Sequence, residues 1–507
     1  MLVSLYSLWI FLGLVAVYLV VRSVYRFYFD PLSHIPGPKL SILTDLYELY
    51  YDIVLGGRFL FQIEKWHEQY GPIVRINYRE VHISDPEFYD EIYAGGAHKR
   101  DKDPKFVTGF ALPMSMVATV GHDHHRFRRS ILNNFFSKRS VLELSPMIDY
   151  HVQQLMHRLE EFHQDQTVIR LDDALAALTS DIITHYSYGR SWGYLTDKNF
   201  DSHVRNVVND ASTYVHINRF FPWFASLLRL VPAHVMCLIQ PGKGVVFDMQ
   251  KTIFKHSLEP STEPLKHKGE LERGNIFERL TDPSVPAEER TLPRLQDEGM
   301  TLLAAGTETT SRTITVAAYH LYREKGMVQR LRSELKTVLP TITSQATWTD
   351  LEKLPYLTGV VNESLRVALG LTIRLPRVAP TEVIQYRQYS IPPGTPVSTS
   401  SYFMHRSTSV FPEPEEFKPE RWISNGEIDR HLTRYITSFT RGSRQCLGIN
   451  LAYSELYMAI AYLVRRFDLE LHDTPPENLR ITRDMGVGFP DTYEFKVSAK
   501  VVGMVRE

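Results

Sequence analysis

Only two cysteines, Cys237 and Cys446, occur in 507 residues. That is too few for a disulfide framework or a Cys-rich zinc site, and it fits a reducing compartment, so the sulfur chemistry left to consider is that of one thiolate. Neither sign of charge is in excess. The 57 Lys and Arg against 58 Asp and Glu leave a net charge of −1, which gives no field to gather a polyanion and argues against nucleic acid as a partner. No G-x-G-x-x-G or other nucleotide-binding loop occurs, nor an H-E-x-x-H metal site, and nothing beyond residue 466 is long enough for a flavin domain. Any electrons the protein uses must come from outside. Internal repeats and low-complexity tracts are absent as well.

What the chain does contain is core material: 43% hydrophobic and 12% aromatic residues with 23% charged, the make-up of an ordinary globular protein. Residues 1 to 21 carry no charged side chain, and a helix of that length spans about 30 Å, one hydrocarbon core. No Lys or Arg precedes this run and no small-residue cleavage site closes it, so residues 1–22 read as a retained membrane span rather than a cleaved signal. Arg22 and Arg26 follow, a positive flank that keeps the remainder in the cytosol. Residues 23–40 hold Pro31, Pro36, Gly37 and Pro38 and read as a stiff hinge.

Helical spacing then dominates, over 123–137, 143–163, 291–325, 350–370 and 449–466. Alternation in 72–85 predicts a hairpin with Ile73, Ile76, Val81 and Ile83 available for burial, and a second β region is expected over 382–400. The fold class is mainly α with small β-sheets. The stretch 258–292, with four prolines among many charges, reads as an exposed connection.

Four stretches carry chemistry. "FTRGSRQCLG", 439–448, puts Cys446 just before an apolar-periodic helix, where free N–H groups and the helix dipole favour thiolate. Gly442 and Gly448 allow a tight turn and a close approach, and Phe439 can shield the sulfur. An inert buried cysteine is the plainer alternative. "AAGTETTSR", 304–312, lies inside a helix that Gly306 weakens by about 1 kcal/mol relative to Ala. A groove widened beside a ligand would justify it; otherwise the threonines bond back to i−4 carbonyls. "NESLR", 362–366, and "FKPERW", 417–422, offer Glu363, Arg366 and Arg421, a surface pair and a neighbour if nothing buries them.

Together these stretches resemble the cytochrome P-450 family, whose haem-ligand loop reads F-x-x-G-x-R-x-C-x-G and whose distal helix reads A/G-G-x-D/E-T-T. The resemblance runs from the "IPGP" hinge to "GVGFP" at 486–490, and implies a P-450 fold behind a single N-terminal transmembrane helix, with residues 41–507 as the haem-thiolate domain. It implies haem b (iron protoporphyrin IX), with Cys446 as its axial ligand, Phe439 as shield and Gly448 in the binding loop. Arg444, Arg377 and Arg129 become propionate partners, and His125 stands where the family has Trp. Glu308 and Thr309 become the catalytic proton relay. Glu363, Arg366 and Arg421 become a buried charge triad. Phe106, Phe110, Leu112, Met114, Leu302, Ala305, Leu371, Ile373 and Val487 are expected around an apolar small-molecule substrate.

The implied activity is monooxygenation, hydroxylating or epoxidising a terpenoid or polyketide with dioxygen and electrons from an NADPH-dependent reductase. Arg126, Arg128, Lys138, Arg139 and Arg441 are expected as the reductase patch. The implied location is the endoplasmic reticulum membrane, with the domain facing the cytosol and "RFFPWFASLL", 219–228, dipping into the bilayer. The first third of the chain is most similar to fungal secondary-metabolism members such as trichodiene oxygenase. A haem-thiolate isomerase or dehydratase, or a non-catalytic haem sensor, remains open at this point.

Overall fold

A computed structural model describes residues 2–505, except 225–226, 228–230, 232–234, 236–252 and 254–273. Cys237 and part of the 219–228 and 258–292 stretches lie outside the described residues. The uncharged N-terminal run forms helix α1, Leu2–Val24, which continues as a wider turn over Tyr25–Phe29. It is long and apolar enough to cross a membrane.

The segment expected to be a stiff hinge is instead packed down. Arg26 is buried, donating to the Ile42 and Leu43 carbonyls and stacking over Tyr78. Leu32 and Ile35 are buried too, and a Cβ on Gly37 would lie 2.3 Å from the Arg75 carbonyl. Those contacts fasten the segment to a five-stranded sheet. Its strands are β1 Ile73–Arg75, β2 Val81–Ile83, β3 Asp101–Lys102, β4 Arg377–Val378 and β5 Pro396–Ser398, in the order β1-β2-β5-β4-β3. The expected hairpin is β1–β2, with Ile73 opposite Ile83, and its four apolar side chains are buried. Strand β2 runs parallel to β5 while the other pairs are antiparallel.

The helical body holds α2 His122–Leu132, α3 Leu171–Tyr188, α4 Val215–Phe220, α5 Leu292–Arg323, α6 Pro355–Ala368 and α7 Ile449–Arg466. Helix α5 is amphipathic only near its start. Beyond Thr307 it is buried almost throughout, packed by α3, α6 and α7. One apolar cluster runs through these helices, and a second lies under the sheet. A further hairpin near the C-terminus pairs Arg483–Met485 with Val487–Phe489, turning at Gly486 with φ of +91°. Within 274–292 the connection is not structureless. Asn275 and Glu278 close a capping box that starts a short helix, Ile276–Thr281.

Candidate active site around Cys446

The cysteine loop is a tight turn closed by the Cys446 N–H donating to the Phe439 carbonyl at 2.8 Å. Gly442 has φ of +71°, and a Cβ there would stand 2.1 Å from the Tyr93 carbonyl. Its glycine is required by protein packing. Gly448 differs: its φ is −83° and no protein atom among the described residues would meet its Cβ; its N–H donates to the sulfur. The Phe439 ring sits 5.2 Å from that of Tyr453.

Burial pushes the Cys446 thiol up, while the Gly448 N–H and Arg129 pull the other way. The residue nevertheless has accessible surface. Both hold if the accessible surface faces a chamber inside the fold rather than bulk solvent.

Beside this loop stand four cations. Arg444 spends its donors on backbone carbonyls, Nε to Arg100 at 3.0 Å, Nη1 to Thr119 at 2.7 Å and Nη2 to Val120. Arg129 reaches the Gln445 carbonyl. Arg377 caps the Leu375 carbonyl at 3.0 Å and lies over the Tyr93 ring. The fourth, Lys102, escaped the sequence reading because it lies in a charge-rich run that looks solvated; its Nζ reaches the Val117 carbonyl.

Lys102 and Arg377 are direct partners across β3 and β4, an arrangement that repels. None of the four has a carboxylate partner among the described residues. Burial and then Arg377 hold Arg444 down to about 9, and burial, Arg377 and Arg444 lower Lys102 well below its ordinary value. His125 lies among them, kept neutral with a pKa of about 2, first by burial and then by Arg444, Lys102, Arg129 and Arg377. Such a donor set fits a ligand bringing two carboxylates.

On α5, Ala305 is accessible in mid-helix while Glu308 and Thr310 on neighbouring faces are buried. The Thr309 hydroxyl donates to the Ala305 carbonyl at 2.8 Å, the ordinary back-bond of a helical threonine. Glu308 is ion-paired to Arg312, with its other oxygen 3.7 Å from Arg205 Nε. Gly306 also has a packing reason. A Cβ there would come within 2.7 Å of Ile183 on α3, so the glycine admits a close helix crossing.

Glu363, Arg366 and Arg421 come together. Glu363 accepts from Arg366 through both oxygens at 2.8 Å and from Arg421 Nε at 3.1 Å. Trp422 Nε1 and the Lys418 N–H add two more donors. Arg366 also reaches the His405 carbonyl at 3.1 Å. The sequence held no signal for His405. Its Nε2 accepts the Thr437 N–H at 2.9 Å, which leaves Nδ1–H to donate to the Arg366 carbonyl at 3.0 Å. With Ser438 Oγ donating to the Leu365 carbonyl, α6 is stitched to the loop that carries Cys446.

Phe106 and Ile373 share an apolar cluster with Val215, and Leu371 joins it to a second one containing Val487. Phe106 and Phe110 share a small cleft with Lys102 and Arg377. Leu112 and Met114 are half-buried, and the Met114 N–H donates to Asp297 on α5 at 2.8 Å. Leu302 stands apart from these, in the main helical core. Arg128 is not a surface cation: it is buried against Glu289. Lys138, Arg139 and Arg441 are paired with Glu352, Glu143 and Asp90. Arg126 is exposed.

The string Gly189-Arg190-Ser191-Trp192-Gly193 has the spacing of a hydrolase nucleophile elbow, G-x-S-x-G, but not its setting. It follows the end of α3 in a turn with Gly189 and Gly193 both at positive φ, and Ser191 Oγ accepts the Gly193 N–H. A strand-to-helix corner is missing.

The family profile described as Cytochrome P450 matches residues 37–497. The chain is 46% identical over 468 residues to a conidiogenone synthase, PchP450, of Penicillium rubens, covering 92% of this chain and 93% of that protein. It is 42% identical to the cytochrome P450 monooxygenase aflU of Aspergillus parasiticus, covering 96% of each. To the cytochrome P450 monooxygenase TRI4 of Trichoderma arundinaceum it is 41% identical, over 94% of this chain and 92% of the other.

Proposed function

This chain belongs to the cytochrome P450 family, and we propose that it is a membrane-anchored monooxygenase of fungal secondary metabolism that hydroxylates or epoxidises an apolar terpenoid or polyketide. The observation that carries the reading is Cys446, which keeps accessible surface beside four cations that have no carboxylate partner among the described residues. Lys102, Arg129, Arg377 and Arg444 would neutralise the two propionates of haem b, and His125 keeps an imidazole N–H to offer one of them. Haem held through a thiolate supplies dioxygen activation, with electrons drawn from an NADPH-dependent reductase.

The chain's own residues do the rest. Gly448 N–H and Arg129 steady the sulfur anion. Thr309 Oγ1 holds a proton on the chamber side of α5, and Glu308 behind it resupplies protons from the side of Arg205 and Arg312. Phe106, Phe110, Leu371, Ile373 and Val487 exclude water and orient an apolar substrate. The α1 run would anchor the protein in the endoplasmic reticulum with residues 41–507 in the cytosol, as the Arg22 and Arg26 flank supports.

The test is spectral titration of the purified full-length protein with terpenoids and polyketides, followed by turnover with reductase, NADPH and isotopically labelled dioxygen. One labelled oxygen atom in the product is expected. Product formed without oxygen uptake would replace the monooxygenase by an isomerase.

A further inference from the structure

A buried ionic cluster lies away from Cys446 and serves none of the roles above. Glu48 and Asp52, one helical turn apart in the segment following the N-terminal helix, point inward and are nearly fully buried. Arg219 of α4 pairs with Glu48 at 2.7 Å and with Asp52 at 2.6 Å. Arg374, just before β4, pairs with Glu48 and with Glu80 at 2.8 Å. Both guanidinium groups stand 5.5 Å from the centre of the Phe106 ring. Phe106 is therefore held by two cations whose own positions are fixed by three carboxylates.

Such cations do not stay in place without their anions, since a desolvated guanidinium with its partner removed seeks water or another acceptor. The loop around Phe106 also packs closely on α4: a Cβ on Gly109 would lie 3.0 Å from the Val215 carbonyl, and Arg219 belongs to that same helix. Phe106 also shares an apolar cluster with Val215 and Ile373.

Resting on the monooxygenase reading and its assignment of Phe106 to the substrate chamber, we infer that Glu48 and Asp52 are positioning residues for Phe106, acting through Arg219. The segment next to the membrane helix thereby sets which substrates the chamber accepts. Phe106 supplies the contact with substrate, and the carboxylates never touch it.

The experiment uses two probes on the full-length haem protein: imidazole, small enough to reach iron past any ceiling, and 1-dodecylimidazole, which must pass and contact it. The quantity read is the ratio of their spectral Kd values in the wild type, in Phe106→Ala, in Asp52→Asn and in the double variant. Phe106→Ala should weaken dodecylimidazole about tenfold and leave imidazole within twofold. Asp52→Asn should move the ratio in the same direction by less. The double variant should match Phe106→Ala, because a positioning residue has nothing left to position.

Additive effects in the double variant, an unchanged ratio in either single variant, or equal weakening of both probes would overturn the inference. If Asp52→Asn loads no haem, Arg219→Lys takes its place in the same cycle with the same expectations. A wild type that shows no shift with imidazole overturns the haem reading itself, and this inference with it.

Discussion

Thr309 and Lys102 carry the sharpest expectations for single side chains. Replacing Thr309 by Ala removes the hydroxyl bonded to the Ala305 carbonyl without altering the helix, so substrate should still bind while coupling fails. NADPH oxidation should continue with hydrogen peroxide rising several-fold at the expense of product; unchanged coupling would remove Thr309 from the proton path. Lys102→Met keeps length and burial but deletes one cation of the pair facing Arg377. Haem affinity should fall about tenfold in apoprotein titrations with haemin, with the Soret position of bound haem unchanged. His405 gives a pH dependence. Burial first, and then Arg366, lower its pKa from 6.5 to about 3, so the unfolded chain binds a proton that the folded one refuses. Its contribution to stability is complete above 6.5 and is lost as pH falls from there toward 3. Protonation would turn Nε2 from acceptor to donor against the Thr437 N–H. Acid titration followed by the thiolate-type carbon-monoxide band should show loss within that window, and a band stable to pH 4 would contradict it.

At the scale of elements, the joint between α6 and the cysteine loop depends on Glu363, which collects five hydrogen bonds from Arg366, Arg421, Trp422 and Lys418. Glu363→Gln leaves two guanidinium groups without their anion. The expected cost is about 3 to 5 kcal/mol, seen as loss of folded holoprotein and a lowered Tm rather than a changed KM. A stable variant with altered kinetics would refute the structural role. Much of this layer was legible beforehand. The cysteine loop, the threonine helix and the Glu-Arg helix are contiguous strings whose spacing survives folding, and the β1–β2 hairpin follows from alternation alone. What stayed hidden depends on contacts between distant strings. Lys102 belongs with Arg377 only through β3–β4 pairing. His405 matters only because Thr437 lies beside it. Gly306 answers to Ile183 on another helix, and Arg128 looked exposed until Glu289, far along the chain, covered it.

Over the whole molecule, one apolar helix precedes a body whose attachment begins earlier than the prolines imply, since Arg26 is already buried in it. Removing residues 1–21 leaves Arg26 in place. The truncated protein should move from the membrane pellet to the soluble fraction after carbonate washing while keeping its haem spectrum; retention as an integral protein would mean that α1 is not the sole anchor. Every functional statement above, from propionate partners to substrate ceiling, rests on the sulfur of Cys446 being the haem ligand. The most direct measurement is the difference spectrum of the reduced carbon-monoxide complex for wild type and Cys446→Ala, both expressed full-length and supplied with haemin. The account predicts the strongly red-shifted Soret band of thiolate ligation in the wild type and its complete loss in the variant. The same band in Cys446→Ala, or a histidine-type band in the wild type, would contradict it.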